Sequence, residues 1–285
     1  MRFSLLLAAL LAAFVPAAAV AQDAQQRVEW NRPIAPFNII GNVYYVGTEG
    51  LSAFLVTGPR GHVLIDGGLP ESAPHIAANI RTLGFKLRDV RYLLVNHTHF
   101  DHAGGLAELK QMTGAQMIAS ADEKIDLAAG RTVDRPELAT FAPVTVDRIV
   151  RDGELIRLGS IMMKAHMTPG HTRGGVSWTT MSAGKRVLFA TSLTVAGQKL
   201  VGDTRYPTAA ADFRTAFRKL RLLKADVFLN FHPEFFDMAT KRAQQTAGNS
   251  NAFVDPGELG RQVDRAEENF KVDLATQSAA STSAL

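Results

Sequence analysis

A single ten-residue stretch, 96-NHTHFDHAGG-105, limits what this chain can fold into more than any other feature. It places four potential metal ligands, His97, His99, Asp101 and His102, within six residues, directly after the apolar run 92-YLLV-95. Histidines at i and i+2 project from one side of an extended segment, and a tight turn brings Asp101 and His102 round to face them. Imidazole with carboxylate suits zinc, and a neighbouring Asp and His suit a second ion beside the first. Three of the eight histidines fall in these six residues, a clustering that ordinary surface loops do not produce. One metal takes three or four ligands, so further donors have to arrive from elsewhere in the chain.

Two candidates stand in matching contexts. His171 lies in 168-TPGHTRGG-175, where Pro169 and paired glycines force an irregular backbone just after a strand; His232 follows the apolar strand that ends at Phe231. Both occupy strand ends, where parallel-sheet enzymes collect their chemistry. His62 opens a strand, His75 lies on a helix, and His166 lies on a strand five residues before His171. These three read as packing or surface residues, with His166 the reserve for a place near the metal.

Cysteine is absent, which removes thiolate as nucleophile and as zinc ligand and rules out disulfides. With 285 residues, 46% of them apolar, the chain can bury a large core and reads as one large domain or two intimately packed halves. The formal charge of +4 is too small and too scattered to argue for nucleic acid. Arg2, an apolar run over 5–15 and the small-x-small pattern Ala19-Val20-Ala21 predict a cleaved signal peptide over 1–21, hence an exported, periplasmic protein beginning near Gln22. No later segment reaches transmembrane length. The mature domain is expected over 22–276, free of the membrane and monomeric, with 277-QSAASTSAL-285 as a flexible tail.

Strand-like runs at 42-NVYYVG-47, 53-AFLVTG-58 and 62-HVLIDGG-68 precede a helix over 72-SAPHIAANIRTLG-84 and the strand 91-RYLLVN-96. A helix with Leu106, Leu109 and Met112 on one face follows the histidine loop. Strands are then expected at 155–160, 161–166, 175–180, 187–192 and 226–231, with an Asp212-capped helix bearing Phe213, Phe217 and Leu220, and a last helix bearing Leu259, Val263, Ala266 and Phe270. Residues 127–150 lack periodicity and read as a long surface loop.

The succession of His97, His99, Asp101 and His102, then His171, then His232, resembles the metallo-β-lactamase superfamily. Within it the chain is most similar to the third subclass of class B β-lactamases, through 30-WNRPIAPFNIIGNVYYVGT-48, 65-IDGGLP-70, 165-AHMTPGHTRGG-175, 202-GDTRYP-207 and the final helix. The resemblance implies an α/β fold, a four-layer αββα sandwich with the metals at one edge of the sheets. It implies two zinc ions, the first held by His97, His99 and His171 and the second by Asp101, His102 and His232. Asp66 is similar to an aspartate that orients a ligand, and Ser192 and Thr194 resemble hydroxyls that receive a substrate carboxylate.

The activity implied is hydrolysis of the β-lactam amide of a small-molecule antibiotic by a hydroxide shared between the two zinc ions, oriented by Asp101. Thr191 stands where many relatives carry Asp, and superfamily thioesterases and phosphodiesterases generally use an aspartate in this region to bridge their metals. Thr191 and export therefore count against a thioesterase or lactonase, which the shared histidine motif nonetheless leaves as the alternative enzyme; a zinc-binding protein without catalysis is a third reading.

Overall fold

The computed structural model describes residues 17–283. Arg2 and the run 5–15, the expected export signal, lie outside the described residues, while the cleavage pattern at 19–21 falls within the first helix, α1 (Ala17–Trp30). Two sheets form the centre. The first runs β1 (Phe37–Ile40), β2 (Val43–Tyr45), β3 (Phe54–Val56), β4 (His62–Ile65), β5 (Val90–Leu94), β6 (Gln116–Ala119) and β7 (Arg148–Ile149) in spatial order. Its first four strands pair antiparallel as a meander; β4 to β7 pair parallel because helices cross between them. The second sheet has the order β12 (Val227–Asn230), β11 (Lys185–Ala190), β10 (Val176–Ser182), β9 (Ile161–Met167), β8 (Leu155–Leu158), with β11 and β12 parallel and the rest antiparallel.

Strands such as β4, with 63-VLI-65, are apolar at successive positions because both faces of the sheet are covered. Val63, Ile65, Leu94 and Ile118 point into the core between the sheets, where they join Phe54, Trp178 and Phe189. Their neighbours Leu64, Leu93, Val95 and Met117 point the other way, under α2 (Ala73–Thr82), α4 (Leu106–Thr113) and α5 (Ala121–Ala129). On the far side α6 (Ala209–Leu222) and α8 (Glu258–Ser283) cover the second sheet, with the Phe213 ring tilted against Phe270 and the Phe217 ring meeting it edge to face. Helices therefore flank two packed sheets, the four-layer arrangement expected. Among the described residues no helix is long and apolar enough to cross a membrane.

The structure also corrects the sequence reading. Residues 277–283 do not fray but continue α8, and Gln277 anchors them: its side chain accepts from Leu200 N (2.7 Å) and donates to Gln198 O (3.0 Å). Met112 is exposed, and Thr113 takes the buried place on α4. Thr208 occupies the cap position of α6, and Asp212 lies in the first turn, accepting from the Thr208 hydroxyl (2.7 Å). The irregular stretch within 127–150 is not a surface loop throughout, since Thr132, Arg135, Phe141 and Val144 are buried. Strand β6 and helices α5 and α7 (Met238–Thr246) have no counterpart in the periodicity analysis, being short elements with weak patterns.

Candidate metal centre

Parallel pairing brings the chemistry to one edge. Ile65 pairs with Leu94, so Asp66 and the loop from Val95 onward leave the first sheet side by side. Ala190 pairs with Asn230, so Thr191, Ser192 and His232 leave the second sheet together. The sheets are tied at this edge by Val176 N donating to Asn96 O (2.8 Å) and Trp178 Nε1 donating to Val95 O (3.2 Å). After His97 the chain turns into the one-turn helix α3 (Phe100–Ala103), which presents Asp101 and His102 from its first turn. The loop that follows sits on the 66–68 turn so closely that a Cβ on Gly105 would lie 2.4 Å from Gly67 O. Only glycine fits there.

The six sequence-predicted ligands converge as two groups. His97, His99 and His171 form one, and Asp101, His102 and His232 the other; within each, one candidate ligand atom per residue lies within 4.8 Å of the others. His171 Nε2 is 3.0 Å from His99 Nδ1, and Asp101 Oδ2 is 3.4 Å from His102 Nε2 and 3.5 Å from His232 Nε2. The groups adjoin, with the His97 and His102 rings 4.3 Å apart. Burial first, then mutual crowding, pushes the pKa values of His97, His99 and His102 far below the usual range; burial takes His171 down to about 4. Neutral imidazoles keep the lone pairs a metal needs.

These donors fit metal ions on the structure's own terms. Both ring nitrogens of His97, Nε2 of His99 and Nδ1 of His102 are buried without a hydrogen-bond partner. Orphaned polar atoms at such depth cost free energy unless a cation satisfies them.

Supporting contacts aim the ligands. His171 Nδ1 donates to the Thr194 carbonyl (2.7 Å), which turns Nε2 toward His99. Asp66 is fully buried with φ 65°, held by its N–H on Leu94 O (3.0 Å) and by Asn96 N donating to Oδ1 (2.8 Å). Its other oxygen lies 3.6 Å from His102 Nδ1. Ser192 and Thr194 share a hydroxyl contact of 3.1 Å beside the centre. His62, His75 and His166 belong to neither group; His166 is bonded to Thr179 on the face of the second sheet (2.8 Å). Thr191 is buried, with its hydroxyl unpartnered.

Two contributors were not picked out from the sequence. Trp30, at the end of α1, places its ring 5.5 Å from that of His232; it opens the segment 30–48 that carries the resemblance, yet nothing there marks a place at the centre. Glu123 lies behind the first group and touches Thr98 and Thr172. Its signal, Ser120 followed three residues later by Glu, reads as a helix cap.

Residues 46–232 match the metallo-beta-lactamase superfamily domain, and the chain belongs to that superfamily. Its structural neighbours are metallo-β-lactamases. A Cronobacter sakazakii enzyme with a HARLDQ motif superposes with a TM-score of 0.87 at 41% identity, covering 89% of this chain and 99% of that one. BJP-1, a subclass B3 enzyme of Bradyrhizobium japonicum, superposes with a TM-score of 0.84 at 39% identity, covering 88% and 98%. By sequence the chain is also 33% identical over 138 residues to a hydroxyacylglutathione hydrolase of Bradyrhizobium sp. (strain ORS 278), which is 48% of this chain and 46% of that protein. The chain thus spans about half the length of this curated relative.

Proposed function

We propose that this protein is a periplasmic β-lactamase that uses two zinc ions and thereby confers resistance to β-lactam antibiotics. The observation that carries the reading is the ligand set with its surroundings: six His and Asp donors in two groups, with the buried threonine Thr191 at the position from which thioesterases of this superfamily generally supply a bridging aspartate. Alignment with β-lactamase structures over almost their whole length supports it. His97, His99 and His171 would hold one ion and Asp101, His102 and His232 the other. When bound, the ions supply a water of lowered pKa and polarise the carbonyl.

The chain's own residues do the rest. Asp101, the sole carboxylate among the six donors, helps fix the attacking water. Hydrolysis adds the water oxygen to the lactam carbonyl carbon, breaks the C–N bond and delivers a proton to nitrogen. The hydroxyls of Ser192 and Thr194 receive the substrate carboxylate, and Trp30 walls the centre beside His232. Arg2 and the apolar run 5–15 support export, with cleavage near Gln22 leaving Trp30 on the mature chain.

The match to a hydroxyacylglutathione hydrolase favours a second reading, a thioesterase on the same ligands. Purified mature chain assayed on nitrocefin, a penicillin, a carbapenem, S-lactoylglutathione and a lactone separates the two. β-Lactam turnover that EDTA abolishes and zinc restores is the expected result. Thioester or lactone turnover without β-lactam turnover would transfer the assignment to the second reading, and zinc binding without any turnover would end both.

A further inference from the structure

Glu123 is fully buried on the first turn of α5, behind the histidines. One carboxyl oxygen contacts the hydroxyl of Thr98, between His97 and His99; the other contacts the hydroxyl of Thr172, next to His171. The His171 loop also seats directly on the helix start: Ser120 Oγ donates to Gly174 O (2.8 Å), and a Cβ on Gly174 would fall 2.6 Å from Glu123 Cγ. We propose that Glu123 is a positioning residue for the first metal group, clamping the loop of His97 and His99 to the loop of His171 through Thr98 and Thr172.

The clamp is satisfied by one shared proton. Thr98 Oγ1 has one hydrogen yet lies against two carboxyl groups, Glu123 and Asp126 (Oδ2, 2.9 Å). Both contacts are hydrogen bonds only if one carboxyl is protonated and donates to Thr98. Burial selects Glu123, since Asp126 is partly exposed; burial and the neighbouring Asp126 push the Glu123 pKa up to about 8. Glu123 then donates to Thr98, Thr98 donates to Asp126, Thr172 donates to Glu123, and Val133 N donates to Asp126 Oδ1 (3.0 Å). A residue needed only to fill space at this depth would be apolar, because an unpaired carboxyl there is costly. The tie between the two loops gives this one its place.

The inference rests on the two-metal reading of the centre and not on the identity of the substrate. Its test is zinc affinity, measured on the full chain by competition with a chromophoric chelator for wild type, Glu123→Ala, Glu123→Gln and Thr172→Val. Glu123→Ala is expected to loosen one of the two ions by about tenfold to a hundredfold and leave the other unchanged. Glu123→Gln has the shape of the neutral carboxyl, accepts from Thr172 and donates to Thr98, and should bind both ions like wild type. Glu123→Ala holding both ions as tightly as wild type overturns the clamp, and so does equal weakening of both, which marks a general structural role. Should Glu123→Ala fail to fold, Thr172→Val, which removes one hydroxyl without changing shape, decides alone: unchanged affinity overturns the clamp. Wild type binding no zinc instead refutes the metal reading itself, and the clamp with it.

Discussion

The two ligand groups sit side by side yet are supported differently. His97, His99 and His171 are all buried, carry no carboxylate, and come from two loops fastened to α5 and to the Thr194 carbonyl. Asp101, His102 and His232 include a carboxylate; His232 is partly exposed beside Trp30, and His102 is backed by the buried carboxyl of Asp66. The first group is a rigid set of neutral donors braced by hydroxyls. The second brings its own negative charge, with more solvent access at His232. A centre built this way can hold one ion by geometry and the other chiefly by charge.

The largest effects should come from breaking each group in turn. His171→Ala removes one of three donors from the first group, whereas Asp101→Asn keeps shape and removes the only charge from the second. Each variant is expected to retain about one zinc per chain by metal analysis and to lose turnover by about a hundredfold or more. Two tightly bound zinc ions with normal kinetics in Asp101→Asn would erase the contrast between the groups. Next in size is Asp66→Ala, which removes the carboxyl behind His102 and should weaken one ion by about tenfold to a hundredfold. Combining it with Glu123→Ala should weaken both ions, one from each side.

The hydroxyls proposed to receive the substrate carboxylate, those of Ser192 and Thr194, should have a smaller and cleaner effect. His171 is held by the Thr194 backbone carbonyl, so Ser192→Ala with Thr194→Val should leave zinc content intact. One lost hydrogen bond to a charged carboxylate is worth about 1.5–3 kcal/mol, so KM on a penicillin should rise by at least about tenfold to a hundredfold with little change in kcat. An unchanged KM at full metal content would place the carboxylate elsewhere.

Per unit of pH, the effect on stability is the smallest. Glu123 has a pKa raised from 4.5 to about 8, so its protonation stabilises the fold fully below about pH 4.5, and that contribution is lost as pH rises through about 8. Unfolding of zinc-free wild type and Glu123→Gln should diverge with a slope of at most about 1.4 kcal/mol per pH unit, the Gln variant gaining on wild type as pH rises. Parallel curves would mean that the carboxyl is ionised in the fold and the proton sits elsewhere.

All six candidate donors that converge in the structure were legible as residues, because they follow an apolar run, within one short loop or directly, or sit in a glycine-rich turn. The alternation of strands and helices was legible too, through short apolar runs between turn residues, while the four-layer sandwich was legible only through the resemblance. What escaped notice was held by distant contacts. Residues 277–283 carry the Ala and Ser of a frayed end, yet Gln277 finds two backbone partners in the loop at 198–200. Glu123 has the sequence setting of a helix cap, and its side chain does something else.

The sequence by itself therefore determined the donor atoms, the absence of thiolate and the strand ends from which the donors project. The grouping of the donors came from the resemblance and not from their spacing; the distances between them, and the Glu123 and Thr194 contacts that brace them, only the tertiary structure decided. A metal site depends on a few ångströms between residues as far apart as His99 and His171, 72 positions along the chain. No local periodicity encodes that distance; it is set by the register of two sheets and by the helix on which both loops rest.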